Sequence, residues 1–200
     1  MTACRWSCAS ATATCHSSGA APMGRRRQIV TLVMLLITSF AAVIAATPAT
    51  AATTGPFQIR VIGGGFQCLQ PEGGNTLQGT RIVQTRCDRN NTAQHWMRAP
   101  VSGNVVHFVN IHSGLCLNAH GAAARETPVD QWPCNGISNE NWEEGPDPGP
   151  EDFPPLFSRV SGTKSLCLDV PFSQETDGLA MWIHRCNNTS AQKIWISRLF

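Results

Sequence analysis

Six cysteines between residues 68 and 186 fall as three pairs, Cys68/Cys87, Cys116/Cys134 and Cys167/Cys186, spaced by 19, 18 and 19 residues. The first cysteine of a pair recurs after 48 and then 51 residues, and each is followed by leucine: Leu69, Leu117 and Leu168. Eight or nine residues after each second cysteine stands a tryptophan: Trp96, Trp142 and Trp195. Two of these close a Gln-x-Trp or near variant, Gln94-His95-Trp96 and Glu140-Asn141-Trp142; the third reads Gln192-Lys193-Ile194-Trp195, one residue longer. Three copies of one pattern are an internal repeat. A unit of about 45–50 residues cannot bury its apolar face alone, whereas three can share one core.

Short strands surround the cysteines. Phe57, Ile59 and Val61 alternate with Gln58 and Arg60, and Val105 to Ile111 and Leu156 to Val160 occupy the matching places in the other units. Three further runs, Ile82–Cys87, Val129–Cys134 and Met181–Cys186, end at the second cysteines. Such runs bounded by Gly, Pro and Asn mark strands, and no window after residue 51 shows a 3.6-residue apolar period. The fold class is therefore all-β with three equivalent units, and the recurring Trp96, Trp142, Trp195 and leucines are its expected core. Equivalent units should make equivalent bonds, so the repeat selects the pairings Cys68–Cys87, Cys116–Cys134 and Cys167–Cys186. Each bridge would contribute roughly 3 kcal/mol in the chain-entropy model.

An even cysteine set without a Cys-x-x-Cys pair reads as disulfides in an oxidising compartment, with no metal site. Upstream stand Arg25-Arg26-Arg27, an apolar stretch from Ile29 to Ala46, and Ala49-Thr50-Ala51. That is the order of a secretory signal peptide: basic start, apolar middle, small residues at the cleavage site. Residues 23–51 are expected to be this signal, and residues 1–22, with Cys4, Cys8 and Cys15, a mis-called extension ahead of Met23. The rest holds 11 Lys+Arg against 13 Asp+Glu. A nucleic-acid binder would show a clustered basic face. The expectation is a secreted chain with no membrane attachment after cleavage.

Cys-Leu-x, a strand ending in a second cysteine, and Gln-x-Trp, repeated three times over residues 56–200, resembles the ricin B-type lectin domain. The resemblance implies a β-trefoil with one disulfide per repeat (repeats at about 56–99, 100–146 and 153–200). It also implies carbohydrate binding, often of galactose or related units, without catalysis or cofactor. In that family a polar residue follows Cys-Leu, an aromatic lies two before the second cysteine, and an Asn lies near Gln-x-Trp. A ring covers the C–H face of a sugar, and a carboxylate or amide bonds its hydroxyls.

Carried over by position, the third repeat offers Asp169 after Cys167-Leu168, His184 in the aromatic place, Trp182 on the same strand face, and Gln192 where Asn is usual. Asp169 is expected at the surface. The second repeat offers Trp132 and Asn139, with Asp130 where Gln is frequent and Asn118 in place of the Asp, so its hydroxyl site would lack the stronger charge-assisted acceptor. Gln70, Thr85 and Ala93 leave the first repeat without a ring, hence structural. The acid-rich stretch Glu143–Asp152 reads as a solvated loop between repeats. A trefoil with decayed sugar sites, acting as a protein-binding or inhibitor module, is the alternative.

Overall fold

The structure is a computed structural model and describes residues 52–121, 123–149 and 152–199. The expected signal peptide and the first three cysteines lie outside the described residues. Among the described residues twelve strands follow one another: β1 (Thr54–Val61), β2 (Gln67–Pro71), β3 (Ile82–Thr85), β4 (Trp96–Ser102), β5 (Val105–Asn110), β6 (Cys116–Ala119), β7 (Thr127–Trp132), β8 (Trp142–Glu144), β9 (Leu156–Ser158), β10 (Leu166–Asp169), β11 (Trp182–Arg185) and β12 (Ile194–Arg198).

Two layers emerge from the pairing. β12 pairs with β1, β1 with β4, β4 with β5, β5 with β8 and β8 with β9. A bridge between Pro155 and Lys193 joins the last edge, β9 to β12. Those six strands close a barrel, which removes unpaired edges. The other six form three hairpins, β2–β3, β6–β7 and β10–β11. The hairpins meet through β7–β11 and the bridges Arg81–Asp130 and Val83–Ala180. This is a β-trefoil of four strands per repeat. β4 runs to Ser102, so the first boundary falls at the Gly103–Asn104 turn, a little beyond residue 99.

All three disulfides form as the repeat requires, with Cα–Cα distances of 5.0, 5.2 and 5.2 Å. Leu69, Leu117 and Leu168 are fully buried, as are Trp96 and Trp142. The coupling of Cys-Leu to Gln-x-Trp has a physical basis. The Trp96 indole donates to the Leu69 carbonyl at 3.1 Å, and the Trp142 indole to the Leu117 carbonyl at 2.9 Å.

Trp195 departs from the expected core: it is 40% exposed, and Ile194 at 2% takes the buried place. The motif frame explains this. Gln192-Lys193-Ile194 aligns with Gln94-His95-Trp96, so Trp195 is one residue out of phase on a strand whose side chains alternate between faces. It lies instead against Phe153 at 6.0 Å, with the Arg60 guanidinium 4.9 Å from its ring. Gln58, read as a polar alternate, is also fully buried, because its amide donates to the Asp88 carbonyl and to Gln94 Oε1.

Candidate functional site

The residue that opens each Gln-x-Trp motif knits its own repeat together. Its side-chain oxygen accepts the backbone N–H just after the second cysteine: Asp88 N to Gln94 at 2.8 Å, Asn135 N to Glu140 at 3.1 Å, and Asn187 N to Gln192 at 2.8 Å. The two glutamines also carry an NH2 group. Gln94 donates it to Gln70 Oε1 at 3.1 Å, and Gln192 to Asp169 Oδ2 at 2.8 Å. Glu140 has no such donor. Its partner in the second repeat, Asn118, keeps a buried Oδ1 without a hydrogen bond among the described residues.

In the third repeat this scaffold presents one complete group. Asp169 ends β10 and sits opposite Trp182 of β11, with Cys167 opposite His184. The Trp182 indole donates to Asp169 Oδ1 at 2.5 Å. Trp182 and His184 lie two residues apart on one strand face, their ring centroids 6.0 Å apart and their planes inclined by 30°. Together they form a half-buried platform. Asp169, Trp182 and His184 line a single cleft of about 360 Å³ with Glu126, Phe172 and Ser173.

Two expectations need correction. Asp169 is only 5% exposed, because two donors draw its carboxylate inward. Gln192 is 1% exposed and aligns with Glu140, not Asn139. The residue equivalent to Asn139 is Ala191. Gln192 therefore positions Asp169 from beneath and does not line the cleft.

The second repeat is arranged differently. Asn118 faces Asp130 across the β6–β7 hairpin and donates to its Oδ1 at 2.7 Å. His120 meets the other oxygen, Oδ2, at 2.6 Å. A cleft of about 250 Å³ is lined by Gly79, Arg81, His120, Pro128 and Asp130, without Trp132. Trp132 stands beside His120, ring centroids 6.3 Å apart. Asn139 is occupied with the Ala119 and Gly121 carbonyls at 2.8 and 3.3 Å. The second-repeat candidates are neighbours, but the structure does not gather them into one cleft. In the first repeat Gln70 accepts from both Asn91 and Gln94, and no ring stands at Thr85.

His120 and Phe172 were missed by the sequence reading. The signal for both was positional: they fall four and five residues after a first cysteine, on the loop that leaves β6 or β10 beside the polar residue. The acidic stretch is more tied down than a solvated loop. Glu143 pairs with Lys164 and Arg159, Glu144 with Arg98, and Asp152 with Lys193.

A family model described as ricin-type beta-trefoil lectin domain-like matches residues 47–132 and again residues 94–162. The two matches start one repeat apart, as internal symmetry allows, and jointly span more than half of the chain. The chain belongs to that family. Among solved structures it is similar to a designed three-fold symmetric protein, ThreeFoil, with a TM-score of 0.67 at 21% identity, over 73% of this chain and 100% of that one. An exo-β-1,3-galactanase from Clostridium thermocellum gives 0.66 at 20%, over 73% of this chain and 30% of that one. The ricin B-like lectin of Macrolepiota procera, solved in complex with lactose, gives 0.60 at 15%, over 77% and 100%. At these identities the likeness shows the fold alone. No curated protein sequence matches the chain.

Proposed function

We propose that this chain is a secreted, non-catalytic lectin that binds galactose-like or other pyranose sugars, mainly through its third repeat. The observation that carries this reading is the single cleft in which a fixed carboxylate, Asp169, stands beside the Trp182–His184 platform. A pyranose can lay its C–H face on the rings. Asp169 Oδ2 is committed to the buried Gln192 amide, whereas Oδ1, shared with the part-buried Trp182 indole, retains an acceptor site for a hydroxyl. The bond is charge-assisted, hence of the stronger kind. The lactose-bound relative supports the same ligand class.

The second repeat is the weaker partner: Asp130 lines a small cleft with Trp132 beside it through His120, while Asn118 is buried against Asp130 and Asn139 is committed to backbone carbonyls. Secretion is supported by the arginine-led apolar segment before residue 52 and by three disulfides, which persist in oxidising compartments. A shallow site of this kind should bind a monosaccharide at roughly millimolar, about −4 kcal/mol. Two weak sites on one rigid domain would gain avidity on a polymer.

Calorimetry on the wild type and His184→Ala tests the reading. Apart from its ring contact with Trp182, His184 makes a long hydrogen bond, 3.4 Å to the Arg185 carbonyl, so its loss should spare the fold. The expected result is millimolar binding that falls about tenfold in the variant, or about 1.4 kcal/mol. Absence of sugar binding by the wild type would favour the protein-binding alternative.

A further inference from the structure

Five residues after the first cysteine of each repeat stand Gly73, Gly121 and Phe172. All three adopt the left-handed backbone, with φ of 63°, 80° and 56°. Glycine enters this region without steric cost, whereas for a bulky residue it is an outlier. Space does not demand glycine in the first two repeats: a Cβ at Gly73 or Gly121 would meet nothing within 4 Å. Conformation demands it, and the third repeat accepts the strain in order to place a phenylalanine there.

Little within the fold compensates for that choice. The Phe172 side chain is 80% exposed, so no deep burial offsets the strain. Its ring makes an edge contact with Trp182, centroids 5.4 Å apart and planes at 64°. Nor is the strain isolated. Ser173 and Glu126 are also left-handed, at φ 53° and 63°, and all three residues line the cleft beside Asp169. Among the described residues three of the five left-handed non-glycine positions thus line this cleft, Phe66 and Asn188 lying outside its lining, and strain concentrated at a cleft is a pattern of ligand sites.

We infer that Phe172 is a second apolar wall of the third-repeat site and selects pyranoses that carry a methyl-terminated substituent, an acetamido group or a 6-deoxy methyl, over the plain hexose. The inference rests on the sugar-binding reading of that cleft. Rings 5.4 Å apart at 64° make a corner, too tight for a sugar to lie between them. A pyranose seated on Trp182 and His184 therefore turns its rim towards Phe172. A hydroxyl pressed there would lose water without gaining a partner. A methyl group in the same place is removed from water and gains.

The test is calorimetry of the wild type, Phe172→Gly and Phe172→Asn, the last because Asn tolerates the left-handed backbone. The probes are D-galactose, N-acetyl-D-galactosamine, D-fucose (6-deoxy-D-galactose), D-glucose and N-acetyl-D-glucosamine, and the readout is the affinity ratio of each substituted sugar to its parent hexose. In the wild type at least one ratio should reach about fourfold, the effect of burying one methyl-sized group. In both variants the ratio should fall to about one, with circular dichroism unchanged. The acetamido and 6-deoxy arms tell the two methyl sources apart. Hexose binding with a wild-type ratio near one, or a ratio that survives both substitutions, overturns the inference and leaves the lectin reading standing. No binding of any probe overturns both.

Discussion

In the third repeat the buried carboxylate, Asp169, lies on the first strand of the hairpin and takes its hydrogen bonds from Trp182 and Gln192. In the second repeat the buried carboxylate, Asp130, lies on the opposite strand and takes them from Asn118 and His120. The backbone hairpins are equivalent, yet the consequences differ. Asp169 shares a cleft with a two-ring platform. Asp130 is capped by an exposed histidine, and Trp132 is left outside its cleft. The change from Gln192 to Glu140 belongs to the same exchange: removing one NH2 group deprives the neighbouring Asn118 oxygen of a donor. A trefoil site depends on which strand carries the charge and on what holds that charge from beneath. The presence of the right residue types in a repeat is not sufficient.

The largest expected effect concerns the repeats' tryptophans. Trp142→Ala removes a fully buried ring and its bond to the Leu117 carbonyl, and should destabilise the domain by about 3–5 kcal/mol. Trp195→Ala removes a half-exposed ring from the barrel's outer face and should cost under about 1 kcal/mol. Urea denaturation measures both. Equal losses would mean that the third repeat uses Trp195 as core after all.

Next in size is the exchange of the carboxylate. Asp169→Ala strands a buried donor on Gln192 and a part-buried one on Trp182, and should cost about 2–3 kcal/mol as well as sugar binding. Asn118→Ala, at the equivalent position, removes one donor together with an oxygen that lacks a partner, and should cost about 1 kcal/mol. Parallel urea titrations of the two variants would break the comparison if the losses came out equal.

Much of this was legible in the sequence. The cysteine spacing established the three units and their bridges, and Leu69, Leu117, Trp96 and Trp142 formed the core because each indole reaches its leucine carbonyl. Position after Cys-Leu brought out Asp169 and Asn118 as equivalents. The third motif departs from the frame: Ile194 stands in phase with Trp96 and Trp142 and is buried, and Trp195 follows one residue later, so the residue type and the buried position separate there. The burial of Asp169 was not legible either. It depends on a donor thirteen residues away on the facing strand and another on a turn from Ser190 to Gln192, and pairing register sets both. The left-handed backbone of Phe172 was not legible, because nothing in a phenylalanine's sequence context specifies a positive φ.

The smallest effect lies where the second repeat passes into the third. Burial raises the Glu144 carboxyl above its ordinary 4.5, with Arg98 opposing. For an acid shifted up on folding, the stabilising contribution is complete below the ordinary value and lost as pH rises through the folded value. Asp152 is shifted down from 3.8, chiefly by the hydrogen bond from Lys193. Its contribution is present above that value and lost as pH falls through the folded one. Urea stability measured between about pH 3 and 7 should show opposite trends. Relative to wild type, Glu144→Gln should become more stable as pH rises, and Asp152→Asn less stable. Trends of the same sign would contradict the assignment.

The most direct measurement is nitrogen–proton NMR of the tryptophan side chains during titration with a pyranose. Trp96, Trp132, Trp142, Trp182 and Trp195 report from different places in the domain, and the Trp182 indole N–H points at the Asp169 carboxylate. Sugar in the third-repeat cleft should move the Trp182 signal first and furthest, followed by Trp132 at higher concentration. Trp96, Trp142 and Trp195 should stay in place. A titration that moves Trp195 while Trp182 is unmoved, or that moves none of the five, would contradict a sugar site built on Asp169.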